Sequence, residues 1–461
     1  MVAKLQNLTD KEVEELRQEA LNHYWMPARQ LNDLKEPGAL KVMTEGEGCW
    51  VTQSDGTRYF DGISGLWVKA AGYGRKKIAD AVYETMLTGM TYHPTATTSP
   101  NSIRLASKVA SIAPDSESRV FLVSGGSEAV ETAVKMAKKY HRNRGEPTRF
   151  KVISRLGSYH GATHLCISLG GGSVAFAGDY GPIMLGTPKV TQPYQYRCHH
   201  CEGKCNLKCA GDVERTIQAE GAEQVAAVIG EPISAAAGVA VPHPDYWPTL
   251  RAICDKYGVL LIADEVITGF GRTGKMFASE HWGLKPDIIT VAKALTSGYL
   301  PIGAAIASKK VADTFIGGES ETFRHLITFG GNPVSAAAAL ANLEIFEEED
   351  LVGNSERMGE YMNQQLQTLY EHPTVGDIRW GKGLLFGIEL VKDKATKEKF
   401  PKEAEMRKKI THLMHKHKIF LIAQDTISLA PPLCINKDEV DHVVKTLNTL
   451  IGELEQELGV K

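Results

Sequence analysis

No stretch of this chain is apolar for long enough to cross a bilayer, so the sequence offers no transmembrane candidate. An excess of charge of one sign is also missing. The formal net charge of −3 gives no general electrostatic reason to bind nucleic acid or an anionic membrane. The basic run 407–418 is diluted by Ile410, Leu413 and Met414 at helical spacing, and is expected to be a solvated helix face. Cysteine is sparse, and eight in 461 residues do not suggest a disulfide scaffold. The start is charged, unlike a signal or transit peptide, so a cytoplasmic location is the expectation. Internal repeats and low-complexity linkers are lacking too. What remains is ordinary for a soluble globular enzyme, with 43% hydrophobic and 23% charged residues. The length suits two domains, or one large domain with an attached lobe.

Thr9 with Glu12 forms a capping-box pattern for a first helix toward Tyr24. Beyond Gly56, short β-branched runs recur at 120–123, 152–154, 227–229, 259–263, 288–291 and 302–307. Helical patterns separate several of them, including one that starts near Ser127 and buries Val130, Ala133, Val134 and Ala137. Strands alternating with helices predict an α/β fold with a mainly parallel sheet. The last third changes character, with charged amphipathic helices around 403–416 and from Asn436 onward. That shift places a boundary near Pro333. The expected division is an N-terminal segment 1–70 joining a smaller domain, a large domain 71–333, and a C-terminal small α+β domain 334–461.

The chemistry gathers at strand ends. Lys293 follows the apolar run Ile288–Val291, and a lysine in so apolar a setting is costly unless it is used. Burial would depress its pKa and suit the amine to Schiff-base chemistry, although a surface lysine at a strand end fits equally well. Asp264 closes the run 259–263, where open α/β sheets place their ligands. An acidic partner there would keep the ring nitrogen of pyridoxal phosphate protonated; otherwise Asp264 simply caps a turn. Ser124-Gly125-Gly126-Ser127 joins a strand to a helix start, a cradle of backbone amides for a phosphate or a plain capped turn. Tyr159 could stack on a planar cofactor or pack in the core. Glu231, after another apolar run, could orient a neighbour or be solvated. Gly269, Gly271 and Gly274 match the dinucleotide fingerprint. Five residues separate that match from its strand, however, and no helix start follows, which argues against a NAD-dependent oxidoreductase.

Taken in order along nearly the whole chain, these motifs resemble the class III aminotransferases of pyridoxal-phosphate fold type I, the ω-amino-acid and amine transaminase group. Trp25-Met26-Pro27, Gly65-Leu66-Trp67, Gly72-Tyr73-Gly74-Arg75, Tyr159-His160-Gly161, Glu231-Pro232, Asp264-Glu265-Val266, Lys293 and Thr328 to Pro333 carry the likeness. The resemblance implies a seven-stranded-type sheet with Lys293 as the Schiff-base lysine and proton shuttle. It pairs Asp264 with the pyridine nitrogen and sandwiches the ring between Val266 and Tyr159. It also assigns His160 and Glu231 to the ring pocket, and Gly126 and Ser127 to the phosphate. Thr328 would join them from the other subunit of a homodimer, or of a tetramer built from dimers. Leu66, Trp67 and Tyr92 resemble the substrate wall. The implied reaction moves an amino group from an amine or ω-amino acid to a keto acid, with pyruvate the expected acceptor, in ping-pong halves. A same-family aminomutase or decarboxylase would share the cofactor residues, and a non-catalytic binding protein is the remaining contrast.

Two departures from that pattern stand out. Gly125 replaces the usual first serine of the phosphate turn. No arginine follows Arg407, so the mobile arginine that many relatives carry before Pro431-Pro432 is absent. Gln424 or Arg324 would then have to meet a substrate carboxylate. Separately, Cys198, Cys201, Cys205 and Cys209 follow a C-x2-C-x3-C-x3-C spacing that could hold zinc, remain free, or form a disulfide. The reaction itself calls for no metal, so a zinc ion there would be structural and remote from the chemistry.

Overall fold

The computed structural model describes residues 8–27, 29–36, 39–170, 179–181, 184–198, 200–201 and 204–460. Its centre is a seven-stranded sheet built from β4 (Arg119–Val123), β5 (Lys151–Arg155), β6 (Lys189–Val190), β7 (Val225–Gly230), β8 (Leu260–Asp264), β9 (Ile288–Val291) and β10 (Gly303–Ala307). The spatial order is β4-β10-β9-β8-β7-β5-β6. Only β10 opposes its neighbours; the pairings among β9, β8, β7, β5 and β6 are parallel. Because β4 and β9 both run against β10, β4 points the same way as the rest. Every residue of β7, β8 and β9 is buried, as expected of strands covered on both faces. The helix Gly126–Asn143 lies on one face and buries Val130, Ala133, Val134 and Ala137, the stripe expected from the sequence.

Two smaller sheets flank this one. Strands β1 (Met43–Glu47), β2 (Trp50–Gln53) and β3 (Arg58–Asp61) form a meander. The meander is completed by β13 (Ile419–Phe420), which pairs parallel with β3. Between these in sequence, β11 (Val375–Trp380) and β12 (Phe386–Leu390) join β14 (Ile422–Ala423) and β15 (Thr426–Leu429) in an antiparallel sheet. The N-terminal strands are thus knitted to the last third of the chain. The helix Asp10–His23 carries the full Thr9–Glu12 capping box, and Asn436 caps the long helix Lys437–Leu458. The helix expected over 403–416 is shorter, Met406–Lys416, because Glu403 sits in a separate single turn. The helix Pro333–Glu348 is apolar nearly all round and packs against the helices Lys76–Leu87 and Pro100–Ile112. One continuous apolar cluster runs from Phe60 through Ile289 to Leu454, so no break in the core falls at Pro333.

A single buried cation ties three segments together. Arg272, 2% exposed, donates to the carbonyls of Leu384 at 2.9 Å and Pro431 at 2.6 Å, and to Ser64 Oγ at 3.1 Å. Burial lowers its pKa to about 10, opposed by the charge of Asp61. Gly271 and Gly274, on either side, have φ of 80° and 81°, so the glycine run is a turn around this arginine rather than the start of a nucleotide-binding helix. Replacing Arg272 with alanine would strand two buried carbonyls and should cost about 3 kcal/mol of stability. Denaturant titration checks this, and an unchanged midpoint would refute it.

Candidate active site

Because six of the seven strands point the same way, their carboxyl ends open on one edge, the usual location of a ligand crevice in such sheets. Asp264 is the last residue of β8, Glu231 follows β7 by one position, and Lys293 follows β9 by two. Tyr159 and His160 come from the loop after β5, and Gly126 and Ser127 from the helix start after β4. All of these, with Val266, line one cavity of about 190 Å³. The cofactor residues expected from the sequence therefore converge, except Thr328.

Asp264 is 4% exposed and fully engaged. His160 Nδ1 lies 2.6 Å from Oδ2, while Thr290 Oγ1 at 2.9 Å and the Val266 amide at 3.2 Å donate to Oδ1. His160 Nε2 lies 3.9 Å from Glu231 Oε2. Glu231 in turn accepts from Arg155 at 2.9 Å, Ser234 Oγ at 2.9 Å and the Tyr159 amide at 3.2 Å. Burial pushes the Glu231 carboxyl up, but the neighbouring His160 and Arg155 outweigh it and hold the group below the usual range. Arg155 and Thr290 were not singled out by the sequence. An arginine ending a strand looks solvated, and a threonine inside one looks like a strand former.

Lys293 has φ of 38°, a left-handed conformation that costs a non-glycine residue energy and concentrates at functional sites. Burial lowers its amine pKa to about 8, with the nearby Asp264 charge pulling the other way. The amine is therefore partly neutral near physiological pH, the form a nucleophile needs.

The residues fit pyridoxal phosphate. Gly125 and Gly126 open the helix Gly126–Asn143, whose first backbone amides form an anion cradle at the cavity wall. A Cβ on Gly126 would come within 3.0 Å of Val266 Cγ1, narrowing the space between cradle and ring floor. Gly161, at φ of 127°, lets its loop close on Ser127, where a Cβ would collide with Oγ at 2.3 Å. Ser127 Oγ accepts from the Ala162 amide at 3.0 Å. Gly125 thus removes a hydroxyl and leaves the amide cradle in place.

The expected substrate residues lie apart from this cavity within the single chain. Leu66 and Tyr92 are 56% and 51% exposed, and Trp67 is half-buried in a turn with φ of 56°. Tyr92 Oη donates to the Thr328 carbonyl at 2.8 Å, and Thr328 itself is exposed. Arg324 is exposed and paired with Glu319 at 2.8 Å. Among the described residues, no helix is long and apolar enough to cross a membrane.

An amine-bearing lysine, an acid at the ring position and a phosphate cradle at one sheet edge define a pyridoxal-phosphate enzyme of fold type I. Comparison with known proteins narrows this. The model of the aminotransferase class-III family matches residues 34–451, and the chain belongs to that family. An (S)-enantioselective ω-transaminase from Thermomicrobium roseum superposes with a TM-score of 0.92 at 38% identity, covering 97% of this chain and all of the other. An ω-transaminase from Pseudomonas jessenii, solved in complex with PMP, gives 0.91 at 34% identity over 96% and 99% of the two chains. The putrescine–pyruvate aminotransferase of Pseudomonas aeruginosa is 36% identical across 95% of this chain and 96% of its own. This protein is a pyridoxal-phosphate-dependent aminotransferase.

In the cofactor-free protein, covalent capture of pyridoxal phosphate by Lys293 should speed up with pH through an apparent pKa of about 8. Stopped-flow absorbance across a pH series checks this. An unburied lysine would place the midpoint near 10.4.

Proposed function

We propose that the protein carries an amino group from a primary amine or ω-amino acid to a keto acid, pyruvate first among them, in two alternating half-reactions. The observation that carries this reading is the half-buried Lys293 amine sharing one cavity with Asp264 and the amide cradle at Gly126. The ω-transaminases and the putrescine–pyruvate enzyme among its relatives support the substrate class. A donor screen with pyruvate, scored by alanine formed, tests it. Activity with α-amino donors alone would overturn the amine assignment.

When bound, pyridoxal phosphate supplies an electron sink for the bond broken at the amine-bearing carbon. The remaining work falls to the chain's own residues. Lys293 anchors the cofactor and moves a proton at its Nζ. Asp264 holds a proton opposite its carboxylate, oriented by Thr290, His160 and the Val266 amide. Val266 and Tyr159 would bound the ring from either side, and Gly126 with Ser127 would hold the phosphate. Leu66, Trp67 and Tyr92 shape the substrate wall. In this reading the chain divides into segments 1–70, 71–333 and 334–461, and works in the cytoplasm. The pairing of β3 with β13 supports joining the first segment to the last.

The working unit in this proposal is a homodimer, with Thr328 and Arg324 reaching the partner's site. Its support is a run of exposed apolar side chains around Tyr92: Phe329, whose ring centre is 6.4 Å away and which is 63% exposed, and Leu326 at 75%. Arg324 would supply the cation that the segment before Pro431 lacks, exchanging Glu319 for a substrate carboxylate.

Asp264→Asn should keep the shape and lose several orders of magnitude in rate, because the amide cannot hold the ring proton as a carboxylate does. Near-normal turnover would show that Asp264 only caps its turn. Arg324→Ala should raise the KM for pyruvate more than that for an uncharged amine. Co-expression with Lys293→Ala chains should restore a normal KM in one of the two sites of each heterodimer, where the Lys293→Ala chain lends its Arg324 to the chain that keeps Lys293. Failure of complementation would show that Arg324 acts within its own chain or not at all.

A further inference from the structure

The four closely spaced cysteines play no part in the reaction, yet the fold brings them together. Cys198, Cys201, Cys205 and Cys209 all line one cavity of about 30 Å³, alongside Tyr194 and His243. We propose that this cavity is a structural site for a single soft divalent cation of the zinc class, held by these four thiolates.

Three observations carry the assignment. First, thiols are the ligands that zinc prefers, and four of them complete its tetrahedral shell with no open position, which is the structural kind of site. Second, the cavity is about the size of one solvent molecule, enough for an ion and far too small for the many atoms of an iron–sulfur cluster. Third, the loop is already wrapped around one sulfur. The Asn206 amide donates to Cys201 Sγ at 3.4 Å, and Asn206 Nδ2 returns to the His200 carbonyl at 3.3 Å. Among the described residues no three such groups already stand close enough together to hold a metal ion. Binding therefore draws the thiols inward by side-chain rotation, and each gives its proton to solvent. Lys204 in the same loop and Lys208 at the start of the following helix offset the negative charge of a four-thiolate centre.

The site would act as a staple. Cys209 opens the helix Lys208–Glu220, which packs beneath the large sheet. Just before Cys198, Tyr194 and Arg197 both bond Glu389 of β12, where Arg379 joins at 2.7 Å. A metal here would fix the segment that docks the large sheet's flank onto the C-terminal sheet.

The test uses the holoenzyme, expressed with zinc and desalted under a thiol reductant. Elemental analysis should find about one zinc per chain, and Cys201→Ser/Cys205→Ser should lose it. That variant should melt several degrees lower while keeping its initial transamination rate at ambient temperature. Should it fail to fold, alkylation of the wild-type enzyme read by mass spectrometry decides the matter. Zinc should protect the four cysteines together, and a strong chelator should expose them together. Protein that takes up no zinc, equal labelling with and without the metal, bound iron with sulfide, or a native disulfide among the four would each overturn the proposal.

Discussion

The site rests on a carboxylate kept at the buried end of β8. Removing an ion such as Asp264 from water is costly unless hydrogen bonds and a counter-charge replace its hydration. The structure supplies both. Three donors converge on the two oxygens, the Lys293 amine lies near enough to feel the charge, and beside His160 Glu231 pairs with Arg155, itself 2% exposed and lying over the Trp247 ring at 5.5 Å. Asp264, His160 and Glu231 all line the cavity, and Arg155 lies behind Glu231. Truncating Arg155 would leave Glu231 buried without its cation.

The same carboxylate acts on Lys293 in the opposite sense to burial. Desolvation favours the neutral amine, while the charge of Asp264 favours the ammonium, and the balance settles at about 8. Had Asp264 been farther away, the lysine would be still less basic. Had the cavity been wetter, it would remain protonated. The sheet sets both quantities at once, since β8 and β9 are neighbours paired in register from Ile262 with Ile288 to Asp264 with Thr290. A shift in that register would move the acid and the lysine relative to each other.

These features differ in how visible they are in the sequence. Strands buried on both faces must be apolar throughout, so a polar residue at the end of such a run stands out, and Asp264, Glu231 and Lys293 were found in that way. The phosphate cradle was visible as glycines before a helical stripe. Strand direction was not: β10 is apolar and, like β7, β8 and β9, buried throughout, and only the path of the chain sets it against its neighbours. The supporting groups were hidden for a different reason. Arg155 and Thr290 have side chains that are common at strand ends and within strands, and their meaning comes only from the carboxylates they face. The change in composition near Pro333 is real, but the apolar cluster crosses it without a gap.

On the proposed assignment of site residues, chemistry and specificity are also separated in the architecture. The groups proposed to hold the cofactor sit at strand ends and in the segments just after them, against a sheet whose central strands are buried throughout, where a displacement of even a fraction of an ångström is resisted by close packing. Leu66, Tyr92, Thr328 and Arg324 sit instead on turns and exposed segments, held by few contacts such as the Tyr92–Thr328 hydrogen bond and the Arg324–Glu319 pair. Substitutions there cost little stability because little is packed against them, whereas substitutions at Asp264 or Arg155 disturb a buried chain of charges. Donor and acceptor preference can therefore drift while the reaction is retained. The lack of an arginine before Pro431 is a change of this kind: it removes one way of gripping a carboxylate and leaves the cofactor machinery untouched.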